Sequence, residues 1–213
     1  MVISYHGGEF FKVSFGEMTL AFNPISKDSK LKGVRFGADI ALITLNHPDF
    51  TGAEAVAYGE RQPFIISGPG EYEVKGIRVR GFSSVSSYGG EGRTNTIYLV
   101  TLEGMNLCFL GALGSKKLSA EAREALDEID VLFVPIGGEG VLDASEAHEL
   151  AVELEPAIII PMHYRDDGSL GVKNSLGAFL REEGGKVEKP LEKLTIKKKD
   201  LEGKEGEVVV LAA

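Results

Sequence analysis

Short apolar runs that keep meeting a turn residue constrain this fold more than any other feature of the sequence. The runs over 2–5, 10–15, 18–22, 40–45, 64–67, 77–82 and 97–102 each end near Gly, Pro or Asn before they are long enough to wind a stable helix. They read as β-strands. A further strand is expected over 106–110, and then the pattern changes. Ser119 precedes 120–128, with acids in its first turn, which is a helix signature followed by the strand-like 131–135. Asp143 is placed to cap 144–154, where Ala147, Leu150, Ala151 and Leu154 fall on one helical face, and 158–162 returns as a buried strand. A third amphipathic helix is expected over 172–183, ending at Gly184-Gly185, and strands over 191–197 and 207–211 close the chain.

No Pro/Ser-rich linker and no fixed-period repeat divides this series, so residues 1–213 read as one domain. A dozen strands with only three or four helices imply sheets packed on each other with helices outside, a plan that a four-layer αββα sandwich fits. Composition excludes several alternatives. With 43% apolar and 26% charged residues the chain is globular rather than disordered, and one cysteine, Cys108, makes neither an internal disulfide nor a cysteine-built zinc site. The 23 Lys+Arg against 32 Asp+Glu leave a net charge of −9, which repels phosphate backbones. The basic runs Lys116-Lys117 and Lys197-Lys198-Lys199 adjoin acids, so no nucleic-acid partner is expected. Without a basic leader or an apolar run of about 18 residues, neither export nor membrane insertion is expected, and the location is taken as cytoplasmic.

Two segments could carry metal chemistry. Thr44-Leu45-Asn46-His47-Pro48-Asp49-Phe50 follows a strand, and His47 and Asp49 could offer nitrogen and oxygen to one divalent ion. In the plainer reading Asp49 caps a helix over 51–56 and His47 is a turn residue. Ile158-Ile159-Ile160-Pro161-Met162-His163-Tyr164 delivers a histidine to the mouth of a buried strand, where sites in layered α/β folds lie; the alternative is a histidine satisfied by a backbone carbonyl. His148, in an acidic helix, reads as a surface residue. His6 has no acid nearer than Glu9. The clusters Ser67-Gly68-Pro69-Gly70-Glu71-Tyr72-Glu73 and Ile136-Gly137-Gly138-Glu139-Gly140 lack the pattern of a phosphate loop or a dinucleotide fingerprint, and read as tight turns. Ser83, Ser84, Ser86 and Ser87 have no nucleophile elbow, and Cys108 reads as a small buried hydrophobe in mid-strand.

Taken in order, these pieces resemble the metallo-β-lactamase superfamily, and within it the branch of metal-dependent hydrolases that includes ascorbate-6-phosphate lactonase-like proteins. The resemblance runs from Val2 to about Tyr164. It rests on Ala38-Asp39-Ile40-Ala41-Leu42-Ile43-Thr44 leading into His47-Pro48-Asp49, on Gly68-Pro69-Gly70-Glu71-Tyr72-Glu73-Val74, on Val134-Pro135-Ile136-Gly137-Gly138, and on Ile160-Pro161-Met162-His163-Tyr164. It implies an αββα fold and two metal ions, usually zinc, that activate a bridging water. The family pattern is a Thr-His-x-His-x-Asp-His loop, a later-strand histidine, a bridging aspartate in a Gly-Asp pair and a last histidine.

Only His47, Asp49 and His163 match that pattern. Leu45 and Phe50 stand where the loop's first and third histidines would be, Ser86 near the later-strand histidine, Gly111-Ala112 for Gly-Asp, and Asn23-Pro24 for an early Asp-Pro. The resemblance would assign His47 to one metal, and Asp49 and His163 to the other. Catalytic zinc normally takes three protein ligands plus water, so the binuclear site reads as largely lost. The first expectation is a non-catalytic or altered member that works by binding or assembly. The alternative is a hydrolase of lactones or phosphoesters with one weakly bound zinc or manganese ion at His47, Asp49 and His163, completed by Glu139 or Asp166, with Asp49 as its catalytic carboxylate. The small-molecule substrate is not specified by the sequence, and a homo-oligomer is expected from the family's habits.

Overall fold

Side chains alternate across a pleated strand, so the early apolar runs each turn one row of residues inward. The computed structural model describes residues 1–165, 170–185 and 189–213. In it β1 (Val2–Tyr5), β2 (Phe11–Phe15), β3 (Met18–Phe22), β4 (Ile40–Leu42) and β5 (Phe64–Ile66) join β12 (Leu194–Thr195) in one sheet, ordered β12-β1-β2-β3-β4-β5. The second sheet holds β6 (Gly70–Val74), β7 (Ile77–Ser86), β8 (Arg93–Leu102), β9 (Met105–Phe109), β10 (Val131–Pro135), β11 (Ile158–Met162) and β13 (Glu207–Val208), ordered β13-β11-β10-β9-β8-β7-β6. The inner faces meet in one continuous core. At its centre Phe11 packs on Phe133 at 4.9 Å and Phe22 on Phe109 at 4.8 Å between ring centroids. Burying each such ring is worth roughly 1.5–3 kcal/mol.

The outer layers differ from each other. Helices α1 (Ala120–Ala125), α2 (Ala144–Leu154) and α3 (Ser175–Glu182) pack on the outer face of the second sheet, where Ala147, Leu150, Ala151 and Leu154 of α2 are buried as their spacing predicts. Asp143 caps α2 through a reciprocal pair: it accepts from the Glu146 N–H at 2.9 Å, and Glu146 accepts from the Asp143 N–H at 3.2 Å. Over the first sheet, the expected helical layer is a long loop that packs Ile25, Ala38, Leu31 and Phe36 against it, plus a single 3-10 turn at Ala53–Ala55.

Several boundaries move for local reasons. α1 ends early because Leu126 leaves helical geometry at ψ 45° before Glu128 takes a left-handed backbone at φ 58°, and α3 starts late because Asn174 is left-handed at φ 63°. β7 and β8 run further than apolar pattern suggests, since buried Asn95 donates to Ser84 Oγ at 2.9 Å and makes polar residues admissible there. Gly70–Val74 reads as a loop in the sequence yet is an outer strand: Glu71 and Glu73 lie across from Arg80 and Arg78, while Tyr72 and Val74 on the other face pack against the core.

β9, β10 and β11 are parallel, and so are β3, β4 and β5. Their carboxyl ends therefore deliver residues 43–50, 110–114, 136–142 and 163 to one rim of the sandwich, where open α/β sheets place their ligands. At β4's other end Asp39 ties the sheets together, accepting from the Thr19 N–H at 2.9 Å and from Lys75 Nζ at 2.8 Å.

Candidate active-site cleft

The rim is built on a buried polar chain. Asn23, left-handed at φ 44°, accepts from the Thr44 N–H at 2.9 Å and donates to Thr44 Oγ1 at 2.8 Å and Glu9 Oε2 at 2.7 Å. Glu9 Oε1 lies 2.6 Å from His163 Nδ1, and both side chains are almost fully buried, at 0% and 1% exposure. His163 itself is left-handed, at φ 59°, and donates its N–H to the Gly8 carbonyl at 2.7 Å. That backbone turn requires Gly137 beside it, since a Cβ there would stand 2.2 Å from the His163 carbonyl oxygen. The Gly137-Gly138 pair thus serves a close approach as well as a turn. The far ring nitrogen, His163 Nε2, is buried and has no hydrogen-bond partner among the described residues.

The plainer expectation for Asp49 does not hold. The 3-10 turn after it is preceded by Gly52 without any side-chain cap, and Asp49 instead accepts hydrogen bonds from Ser29 Oγ and, at 2.5 Å, from the Tyr88 hydroxyl. His47 Nδ1 accepts the Asp49 N–H at 3.2 Å, which assigns the proton of the neutral ring to Nε2. Burial lowers the His47 pKa, and the charges of Arg93 and His163 add to this against the pull of Asp49. The Tyr88 phenol is pushed far up, first by burial and then by its bond to the Asp49 carboxylate, so it stays protonated and donates.

Tyr88 lies between the two candidate histidines. Its ring centroid is 4.9 Å from that of His47 and 4.6 Å from that of His163, edge-on to both. Beneath it Leu45, Phe50, Ala112 and Val141 form one buried apolar cluster. Ser86 is bound into the backbone, accepting from the Tyr88 N–H at 3.1 Å and donating to the Gly140 carbonyl at 3.4 Å. Asn95 accepts from the Ala112 N–H at 3.0 Å. Glu139 is exposed, and Asp166 lies outside the described residues. Among the described residues no three His, Cys, Asp or Glu side chains are grouped to hold one ion.

His47, Asp49 and His163 are therefore gathered around one side chain, Tyr88, that sequence reasoning passed over along with Glu9 and Ser29. Signals existed for two of them. Glu9 is an acid between two glycines and two phenylalanines, and Tyr88 is the lone aromatic in Ser87-Tyr88-Gly89-Gly90-Glu91-Gly92. His148, read as a surface residue, is half-buried and lies 2.8 Å from Glu183.

Comparison with known proteins places this chain in a family. Residues 2–163 match the model of the beta-lactamase superfamily domain. A protein of Thermoplasma acidophilum, described as a UPF0173 metal-dependent hydrolase, is 30% identical over 186 residues, which span 76% of this chain and 82% of that one. One from Bacillus licheniformis with the same description is 26% identical over 199 residues, 77% and 85% of the two chains. A Thermotoga maritima crystal structure, described as a Zn-dependent hydrolase of the metallo-beta-lactamase superfamily, superposes with a TM-score of 0.76 at 26% identity, covering 99% of this chain and 97% of that one. The two-sheet sandwich, the strand-end rim and these matches agree, and the chain belongs to the metallo-β-lactamase superfamily.

Proposed function

We propose that this chain keeps the fold of the metal-dependent hydrolases but has given up their binuclear centre, and acts as a non-catalytic or catalytically altered member of the superfamily. The buried cluster of Leu45, Phe50, Ala112 and Val141 under Tyr88 carries this reading. Two cations about 3.5–4 Å apart need bridging anions against their repulsion. Ala112 offers none, and Leu45 and Phe50 offer hydrocarbon, so these residues do not fit two metals. The substitutions are also mutually consistent, because apolar volume in a buried cleft removes imidazoles that would otherwise need partners. On this reading the protein works by binding, to a small ligand or to further copies of itself, rather than by turnover.

One observation favours a second reading, a mononuclear hydrolase of lactones or phosphoesters. A histidine held at Nδ1 by a buried carboxylate, with Nε2 unpartnered, is oriented as metal-binding histidines are, and Glu9–His163 has that form. The relatives' description as metal-dependent hydrolases supports it as well. The set is nevertheless engaged: Asp49 has both oxygens taken by Ser29 and Tyr88, and His47 Nδ1 is taken by a backbone N–H. A zinc or manganese ion at His47, Asp49 and His163 requires the Tyr88 phenol to leave Asp49.

Elemental analysis of protein purified without added metal, then soaked with zinc and manganese, separates the two, together with turnover of a phosphodiester and a lactone. For the wild type, His163→Ala and Tyr88→Phe alike, the first reading expects background metal and background turnover. Stoichiometric metal and turnover in the wild type, both lost in His163→Ala, would overturn it in favour of the second.

A further inference from the structure

A cavity of about 500 Å³ opens beside Tyr5 and Tyr164, and it shares no residue with the apolar cluster of the cleft. His6 and Gly7, just before Glu9, form one side, and Tyr164 and Arg165, just after His163, form another. Its remaining walls are largely apolar, with Val34 and Leu211 prominent, and the Tyr5 ring contributes to the floor. Its size is that of a small-molecule pocket.

The charged side chains that line this cavity are cationic, in a chain of net charge −9. Lys32 and Arg165 line it, and neither enters an ion pair among the described residues. Lys32 belongs to an exposed stretch in which Lys27, Lys30, Lys32 and Arg35 stand against the single carboxylate Asp28, inside a protein of net charge −9. This basic segment is interrupted rather than contiguous, and a search for adjacent lysines misses it. His6 adds a further polar group: its ring lies beside the stacked Phe10 and Phe36 rings at 5.3 and 5.8 Å, and among the described residues its Nε2 is buried without a partner. Cationic side chains at the rim of a largely apolar pocket match a ligand with an anionic head and an apolar body. Two of them, one a guanidinium able to make paired hydrogen bonds, match a dianion better than a single carboxylate.

We infer that this cavity binds a small phosphate monoester carried on a ring or similar apolar body, with Lys32 and Arg165 holding the phosphate and the body lying along Tyr5, Val34 and Leu211. The cavity is concave and separate from the cleft, so the inference stands whether or not a metal reaction survives there.

Calorimetric titration of the full chain with AMP, in chelator to remove metal effects, tests this beside adenosine and a short single-stranded oligonucleotide. AMP is expected to bind with one-to-one stoichiometry, adenosine about tenfold more weakly or worse, and the oligonucleotide no more tightly than AMP. Lys32→Gln combined with Arg165→Gln should weaken AMP by about tenfold or more with unchanged melting temperature, and amide shifts on AMP addition should centre on Gly7, Gly33 and Leu211. Absence of saturable AMP binding, equal affinity for adenosine, tighter binding of the oligonucleotide, wild-type affinity in the double variant, or shifts centred on Tyr88 and Ala112 would each overturn the inference.

Discussion

Glu9→Ala is the sharpest single test of how the rim is held. Glu9 accepts from Asn23 Nδ2 at 2.7 Å and pairs with His163 Nδ1 at 2.6 Å, and all three side chains are essentially out of water. Removing the carboxylate leaves His163 Nδ1 without this partner and one of the two Asn23 Nδ2 N–H donors unpaired, the other still reaching Thr44, and each such loss costs roughly 1–3 kcal/mol. The expected destabilisation is thus about 2–6 kcal/mol before any cavity contribution, which for a domain of this size lowers the melting temperature by roughly 2–4 °C per kcal/mol. Urea denaturation at neutral pH, followed by circular dichroism, measures it. Glu9→Gln keeps shape and one acceptor and should lose less. Glu9→Leu combined with His163→Phe should cost less than the sum of the two single changes, because the pair is then absent rather than half-present. A loss below about 1 kcal/mol in Glu9→Ala would refute the reasoning, since it would mean that solvent reaches these groups.

Other regions give further tests. Asp143→Ala removes the reciprocal cap of α2 and should cost about 0.5–2 kcal/mol in urea midpoint experiments, without altering the amide shifts of the rim. Gly137→Ala drives a Cβ against the His163 carbonyl oxygen, a backbone atom that cannot rotate away, so a loss of about 1–3 kcal/mol or more is expected. The His6 pKa is lowered, mainly by burial and further by Lys12, so the unfolded chain takes up a proton that the folded one refuses. Its contribution is whole above the ordinary histidine pKa of about 6.5 and declines as pH falls from there to the lowered value. His47 has the same sign. His6→Phe should therefore flatten, but not abolish, the fall in urea midpoint between about pH 7.5 and about pH 5.5.

The strands and helices that bury apolar faces were legible because their period is written in the side chains. β1, β3, β10, α2 and β11 have the bounds their patterns predict. Legibility failed where a strand is held by cross-strand partners rather than by its own apolar period. β6 is invisible without Arg78 and Arg80 across from it, and the length of β8 depends on Asn95 finding Ser84. The cleft divides in the same way. Leu45, Phe50 and Ala112 could be singled out from motif order, and their side chains are found packed together. The wedge between the histidines could not, because Tyr88 reaches them from a glycine-rich loop and bonds to Asp49 from 39 residues away.

The unequal outer layers divide the molecule into halves of unequal opening free energy. Three helices and a large apolar cluster shield the parallel strands of the second sheet, while a loop and one 3-10 turn, resting on far fewer buried side chains, shield β3 and β4. Local fluctuations that admit solvent to backbone amides scale with the apolar contacts they must break. In native-state hydrogen exchange the amides of Leu132, Phe133 and Ile159 should therefore outlast those of Ala21 and Ala41 by orders of magnitude, though all five residues are equally hidden from solvent in the static fold. The thinly covered half is also the one that carries Lys32, so the wall of the phosphate cavity can yield without disturbing the strands that hold His163.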